Sequence, residues 1–305
     1  MSASRALVRT SRDVSTTVET YPSGMSLYRL SEPLPSLDSP VVIAAMDGWV
    51  DAGSAATSAL DVLAKGAARI ATFDADALYD YRSRRPTLEI RDGRPFSLAW
   101  PELVLRHVRH GERDILVLSG AEPDDRWHAL ADALVELLGR LDARTWISLG
   151  AIPAAVPHTR PVPILGTESS PGLLRGGVHP GPTGLLKVPA AALSMMEMAV
   201  AASGVPAVGY FAQIPHYVTG DYSTAAVALL RAVERHLDVE LPRGDLSDEA
   251  RALRVRLDAA AAADEATQAY VGRLEAMVDE SRQPEGDDLI TEIERFLRDR
   301  SGGEG

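Results

Sequence analysis

Cysteine is absent from the 305 residues. Disulfides, zinc–thiolate centres, iron–sulfur ligation and a cysteine nucleophile are thereby excluded, and the composition fits a reducing compartment. Lysine is nearly absent: Lys65 and Lys187 stand against 29 arginines, so most lysine-based chemistry is excluded by scarcity. A basic surface is missing as well. The net charge is −12 at pH 7, whereas a nucleic-acid binder normally shows a basic footprint; no nucleic-acid partner is expected. No stretch reaches the roughly 18 unbroken apolar residues of a membrane span. The best candidate, residues 188–202, is too short and contains Glu197. Residues 1–20 carry Arg5, Arg9 and Arg12 without the apolar core of a signal peptide. They are rich in Ser and Thr and read as disordered. A cytoplasmic protein with no membrane attachment is expected.

Chemical signatures are also missing. There is no Gly-x-Gly-x-x-Gly turn, no Walker loop, no Gly-x-Ser-x-Gly elbow and no His-Glu-x-x-His pair. No cofactor and no metal site are expected. What remains is an ordinary globular mixture, 46% hydrophobic and 24% charged.

Apolar runs at residues 41–46, 69–73, 114–118, 145–149 and 205–211 read as buried strands. Helical spacing is visible over residues 51–65, closed by Gly66, and over 125–141, 189–203 and 221–237. Pro189 would sit in the first turn of its helix. Residues 87–91 and 95–99, joined by Asp92-Gly93, read as a hairpin, and 102–108 is a candidate third strand beside it. Strands alternating with helices imply an α/β fold: a mostly parallel sheet flanked by helices.

The C-terminal part differs. Leu246, Ala250, Leu253, Leu257, Ala260, Asp264, Thr267, Val271, Leu274 and Val278 form one seam on a long helix, imperfect at Asp264. Ser247 is positioned to cap that helix, with Asp248 and Glu249 in its first turn. A break at residues 283–286 precedes a last helix from Asp287, with Leu289, Ile290, Ile293, Phe296 and Leu297 on one face. The expected organisation is an α/β domain over 21–245, a helical hairpin over 246–300 and a disordered tail over 301–305. The hairpin either covers the core or mediates assembly.

Five stretches carry residues suited to chemistry. Asp47, Trp49 and Asp51 follow the first buried strand, where a doubly wound sheet forms its binding crevice. Two aspartates suit an ammonium, a ribose hydroxyl or a metal better than a phosphate. Alternatively Asp51 or Ser54 only caps the helix, Asp47 bonds a turn and Trp49 packs. Tyr79, Tyr81, Arg82, Arg84 and Arg85 crowd seven residues; arginine forks bind carboxylate or phosphate. Alternatively these arginines pair internally with Asp74, Asp76 and Asp80. His158 with Arg160, and His216 with Tyr217, each sit just past a strand end; lone loop histidines are more often structural than catalytic. Residues 169–184, dense in Gly and Pro, are a candidate active-site lid or a packed loop.

Taken in order, Met46-Asp47-Gly48-Trp49-Val50-Asp51-Ala52-Gly53-Ser54, Tyr79-Asp80-Tyr81-Arg82-Ser83-Arg84-Arg85-Pro86, His158-Thr159-Arg160-Pro161 and Pro215-His216-Tyr217 resemble the PAC2 family, and within it the actinobacterial branch. The resemblance covers about residues 25–241. Tyr270-Val271-Gly272-Arg273-Leu274-Glu275 is similar to that branch too. Val50 replaces the Asn of the family pattern. The resemblance implies a fold like nucleoside phosphorylases and related hydrolases, which commonly form trimers or hexamers. It also implies kinship with eukaryotic and archaeal proteasome assembly chaperones. Some of those end in a hydrophobic–Tyr–any tripeptide that docks into the proteasome ring; Gly303-Glu304-Gly305 does not fit that pattern.

The expected function is a non-catalytic, assembly-chaperone-like interaction protein. It would have a protein partner and form a homo-oligomer, a trimer being one candidate. The alternative is a ligand-binding protein, or a hydrolase- or phosphorylase-like enzyme. Its crevice would gather Asp47, Trp49, Asp51, Tyr81, Arg82, Arg85, His158, Arg160, His216 and Tyr217 around a small anion.

Overall fold

The computed structural model describes residues 26–281. The N-terminal segment 1–20, the break at 283–286, the helix expected from Asp287 and the tail 301–305 lie outside the described residues.

The strands that the apolar runs predict are present. β1 (Tyr28–Leu30), β2 (Val41–Asp47), β3 (Ala68–Phe73), β6 (Leu103–His110), β7 (Arg113–Ala121), β8 (Thr145–Ala154), β9 (Ile164–Glu168) and β10 (Ala207–Pro215) make one sheet in the order β1-β3-β6-β7-β2-β8-β10-β9. Its centre, β7-β2-β8-β10, is parallel. Antiparallel strands extend it on both sides. The central strands are buried on both faces, which is why they read as continuous apolar runs rather than as alternation. In β2, Val41, Ile43 and Ala45 face one core and Val42, Ala44 and Met46 the other.

Helices cover both faces. α1 (Ala55–Leu63), α5 (Ser223–Leu237) and α6 (Leu246–Ala263) contribute Leu60, Leu230 and Leu253 to one core. α3 (Trp127–Arg140) and α4 (Ala192–Ala202) contribute Leu134 and Met196 to the other. A single turn, α2 (Ala75–Leu78), follows β3. The hairpin of β4 (Thr87–Arg91) and β5 (Arg94–Ala99) forms where Asp92-Gly93 predicts it, but as a sheet of its own.

Four expectations are corrected. Residues 102–108 do not join the hairpin: β6 lies between β3 and β7. Its contact with β7 is so close that a Cβ on Gly120 would come within 1.9 Å of the Glu102 carbonyl oxygen. Pro189 lies three residues before α4 rather than in its first turn. Ser247 lies inside α6, which begins after Asp245. The long seam is two helices, α6 and α7 (Glu265–Ser281), divided at Asp264. The carboxylate of Asp264 accepts hydrogen bonds from the Thr267 N–H and hydroxyl, so the polar flaw in the seam is the cap of the next helix.

Candidate functional site

The loop after β2 holds Asp47, Trp49 and Asp51. A short 3-10 turn (Ala52–Ser54) passes through a left-handed Gly53 and leads into α1. Gly53 abuts α5: its carbonyl accepts from the Tyr222 N–H at 2.8 Å, and a Cβ there would meet Tyr222 at 2.9 Å. Asp51 is buried and turned inward. Its carboxylate accepts from the Ala56 N–H at 2.7 Å, the Thr57 N–H at 3.3 Å and the Thr57 hydroxyl. Burial pushes its carboxyl above the ordinary aspartate range, against the pull of these hydrogen bonds. It anchors the start of α1.

Asp47 points out and lies 3.7 Å from the Arg84 guanidinium. Trp49 does not pack; it is 66% exposed. Glu122, just past the end of β7, organises this end of the sheet. Its carboxylate takes the Trp49 N–H at 2.8 Å and the Ala192 N–H of α4 at 2.7 Å. Sequence reasoning missed Glu122, although its place after a buried strand was a usable signal.

Residues 79–86 lie across β7 from this loop. The Tyr79 hydroxyl donates to the Ala121 carbonyl at 2.8 Å. Tyr81 donates to Asp76 at 2.6 Å and meets Trp100 edge-on at 4.6 Å. Burial, reinforced by Asp76, pushes the Tyr81 hydroxyl up to about 12. The arginine side chains make no ion pair with Asp74, Asp76 or Asp80 among the described residues, so the alternative of internal pairing does not hold. Arg84 turns to Asp47, while Arg82 and Arg85 stay exposed.

The two histidine motifs do meet. His158 is 3% exposed. Its backbone N–H donates to the Tyr217 hydroxyl at 2.8 Å, and that hydroxyl lies 2.7 Å from Nδ1. Nε2 lies 3.2 Å from the Asp258 carboxylate on α6. A neutral ring satisfies all three contacts: Tyr217 donates to Nδ1 and Nε2–H donates to Asp258. Burial lowers the His158 pKa, with Asp258 pulling the other way. Arg254 donates to the His158 carbonyl at 3.2 Å. His216 bridges the Ala154 carbonyl at 3.0 Å and the Tyr270 hydroxyl on α7 at 3.2 Å. Arg160 grips Asp279 in a two-point contact at 2.9 and 2.6 Å and Glu275 at 3.2 Å. The Thr159 hydroxyl also donates to Glu275.

The ten candidate residues therefore fall into separate groups. His158, Arg160, His216 and Tyr217 converge, and the groups they meet are on α6 and α7. Asp47 and Trp49 share the β2 end with Arg84 and Glu122, Asp51 faces the interior, Tyr81 packs on Trp100, and Arg82 and Arg85 stand exposed. Asp258, Arg254, Tyr270, Glu275 and Asp279 complete the histidine cluster. Of these, only the stretch holding Tyr270 and Glu275 carried a signal in the sequence. Among the described residues, no group of three or more His, Asp or Glu is placed to hold a metal.

The model of the PAC2 family matches residues 45–261. No curated protein matches the chain in sequence. Among solved structures, a Corynebacterium glutamicum protein of unknown function is 31% identical with a TM-score of 0.80, covering 85% of this chain and 99% of that one. A Mycobacterium tuberculosis proteasome-assembly chaperone homologue is 36% identical with a TM-score of 0.70, covering 76% and 99%. A Streptomyces avermitilis PAC2 family protein is 35% identical with a TM-score of 0.66, covering 76% and 99%.

Proposed function

The chain belongs to the PAC2 family, and from that premise we propose that it is a non-catalytic interaction protein of the assembly-chaperone kind. The observation that carries this reading is the β4–β5 hairpin. It stands apart from the main sheet, and every residue of both strands is exposed. Leu88, Ile90, Phe96 and Leu98 are 45–63% exposed. Leu88 pairs with Leu98 across the ladder, and Ile90 follows a bulge at Glu89–Ile90. An isolated two-stranded hairpin is marginal in water, and an apolar face of this kind marks a protein contact. The histidine cluster supports the same reading: its polar groups are engaged in holding α6 and α7.

The M. tuberculosis neighbour, a proteasome-assembly chaperone homologue, makes proteasome ring subunits the first partner to try. Self-association, a trimer included, belongs to the same reading. So does a cytoplasmic location; no helix of the described residues is long and apolar enough to cross a membrane.

The test is native mass spectrometry of the purified protein, alone and mixed with proteasome ring subunits, against a Leu88→Asp/Leu98→Asp variant. The hairpin face is solvent-exposed, so the variant keeps its far-UV circular dichroism. The expected result is a defined oligomer or subunit complex that the variant loses. A lone chain under both conditions, or a complex the variant retains in full, overturns the reading.

A further inference from the structure

A cavity lies away from the hairpin, beside the loop that follows β8 and carries His158 and Arg160. It has a volume of about 1000 Å³ and opens between residues 158–164, α5 and α6. Arg160, Arg231, Arg235, Arg251 and Arg254 line it, and no aspartate or glutamate does. In a chain of net charge −12, five guanidinium groups around one cavity without a carboxylate in its wall is a local inversion of sign.

Three of the five are engaged elsewhere. Arg160 holds Asp279, Arg254 holds Asp258, and Arg251 pairs with Asp248 on the exposed edge. Arg231 and Arg235 are different. They sit one turn apart on α5 at the exposed mouth of the cavity, where water solvates them, and neither guanidinium has a hydrogen-bond or ion-pair partner among the described residues. Like charges at this spacing oppose helix formation. Arg235 lies in the last turn, where the helix dipole favours a cation, but Arg231 is a turn earlier and gains nothing from it. The Arg235 side chain passes close to Gly176, where a Cβ would come 2.5 Å from Arg235 Nε. Beside these charges the wall is apolar, with Val162, Ile164 and Val227. Size and lining match a small-molecule site, an apolar cleft with a few placed polar groups.

We infer that this cavity binds an organic polyanion: a small molecule with two or more negative charges and an apolar body, the class of nucleoside diphosphates. Arg231 and Arg235 take the charged end, as paired guanidinium forks do, and Val162, Ile164 and Val227 take the body. The wall is shared by α5 and α6, so the ligand fastens α6 to the α/β body and binds only when α6 is docked.

Isothermal titration and thermal melting with ADP, coenzyme A, pyrophosphate and adenosine test this on the full chain. ADP or coenzyme A is expected to bind and to raise the melting temperature. Pyrophosphate, charge without body, binds more weakly, and adenosine, body without charge, does not bind. Arg231→Gln/Arg235→Gln weakens binding by about tenfold or more. Without ligand that variant melts no lower than the wild type, because it removes a like-charge pair. Arg113→Ala, an exposed arginine at the start of β7, leaves binding unchanged. Failure of ADP, coenzyme A and pyrophosphate alike to bind the wild type overturns the inference, as does equal binding by the double variant.

Discussion

Asp51 shows how one side chain decides between a chemical and an architectural role. Its position after a buried strand suits a ligand-binding aspartate, but its carboxylate is spent on the first turn of α1. Asp51→Ala leaves the Ala56 and Thr57 N–H groups unpaired and is expected to cost about 1–2 kcal/mol in urea unfolding. Asp51→Asn keeps an acceptor and removes a buried charge, so it should cost clearly less. Because the folded-state pKa of Asp51 is raised, the native state holds this proton more tightly than the unfolded chain. The contribution of Asp51 therefore falls as pH rises above the ordinary aspartate range. Equal losses for Ala and Asn would mean that the carboxylate charge itself is needed. The opposite case is Trp49, read as a pocket residue with packing as the alternative, and found on the surface. Its type gave no clue, because the loop direction is set by Glu122 seventy-three residues away.

The helical elements α6 and α7 are held by different means. α6 buries Leu246 and Leu253 against the body's own core. α7 buries Val271 and Leu274 and is otherwise tied by polar contacts: Tyr270 to His216, and Glu275 and Asp279 to Arg160. Partly exposed ion pairs contribute little each, so the apolar pair should dominate. Leu274→Ala is expected to destabilise the docked α7 by about 2–4 kcal/mol. In hydrogen exchange this appears as faster exchange across α7 with β2 and β8 unchanged. Uniform acceleration through the sheet would show instead that α7 belongs to the global cooperative unit.

For the molecule as a whole, the contact between the α/β body and α6–α7 runs through a histidine whose burial favours the neutral ring. The folded-state pKa of His158 is lowered from 6.5, chiefly by burial; Asp258 and Glu275 act against this and Arg254 with it. Protonation would place a hydrogen on Nδ1, so the Tyr217 hydroxyl would have to turn from donor to acceptor there. A depressed histidine pKa contributes stability that is present above the unfolded value and lost as pH falls through it. Stability to urea should therefore drop between about pH 7.5 and 5.5. His236, also lowered by burial and by Arg175, acts in the same direction, so the wild-type slope alone does not isolate His158. His158→Gln, which cannot take up the proton, should flatten part of the slope. Identical slopes in variant and wild type would remove His158 from the account.

Local pattern was enough for the parallel centre of the sheet, because strands buried on both faces must be apolar throughout: residues 41–46, 114–118 and 145–149 show it. It was enough for the Asp92-Gly93 hairpin too, since the turn chemistry is contained in two residues. The four motifs that resemble the PAC2 family were legible as residues under some constraint. Local pattern did not reveal β9, a five-residue strand interrupted by Gly166, whose pairing is supplied by β10. Nor did it assign β6, whose neighbours are chosen by sheet order rather than by chain proximity. The partners of His158 and Arg160 were out of reach for the same reason. Asp258, Glu275 and Asp279 lie 100 or more residues along the chain, and only the packing of α6 and α7 onto the body turns four candidate site residues into a clasp. The cavity between α5 and α6 exists only because two helices from different parts of the chain face each other. No spacing of arginines along either helix reveals that their charges share one space.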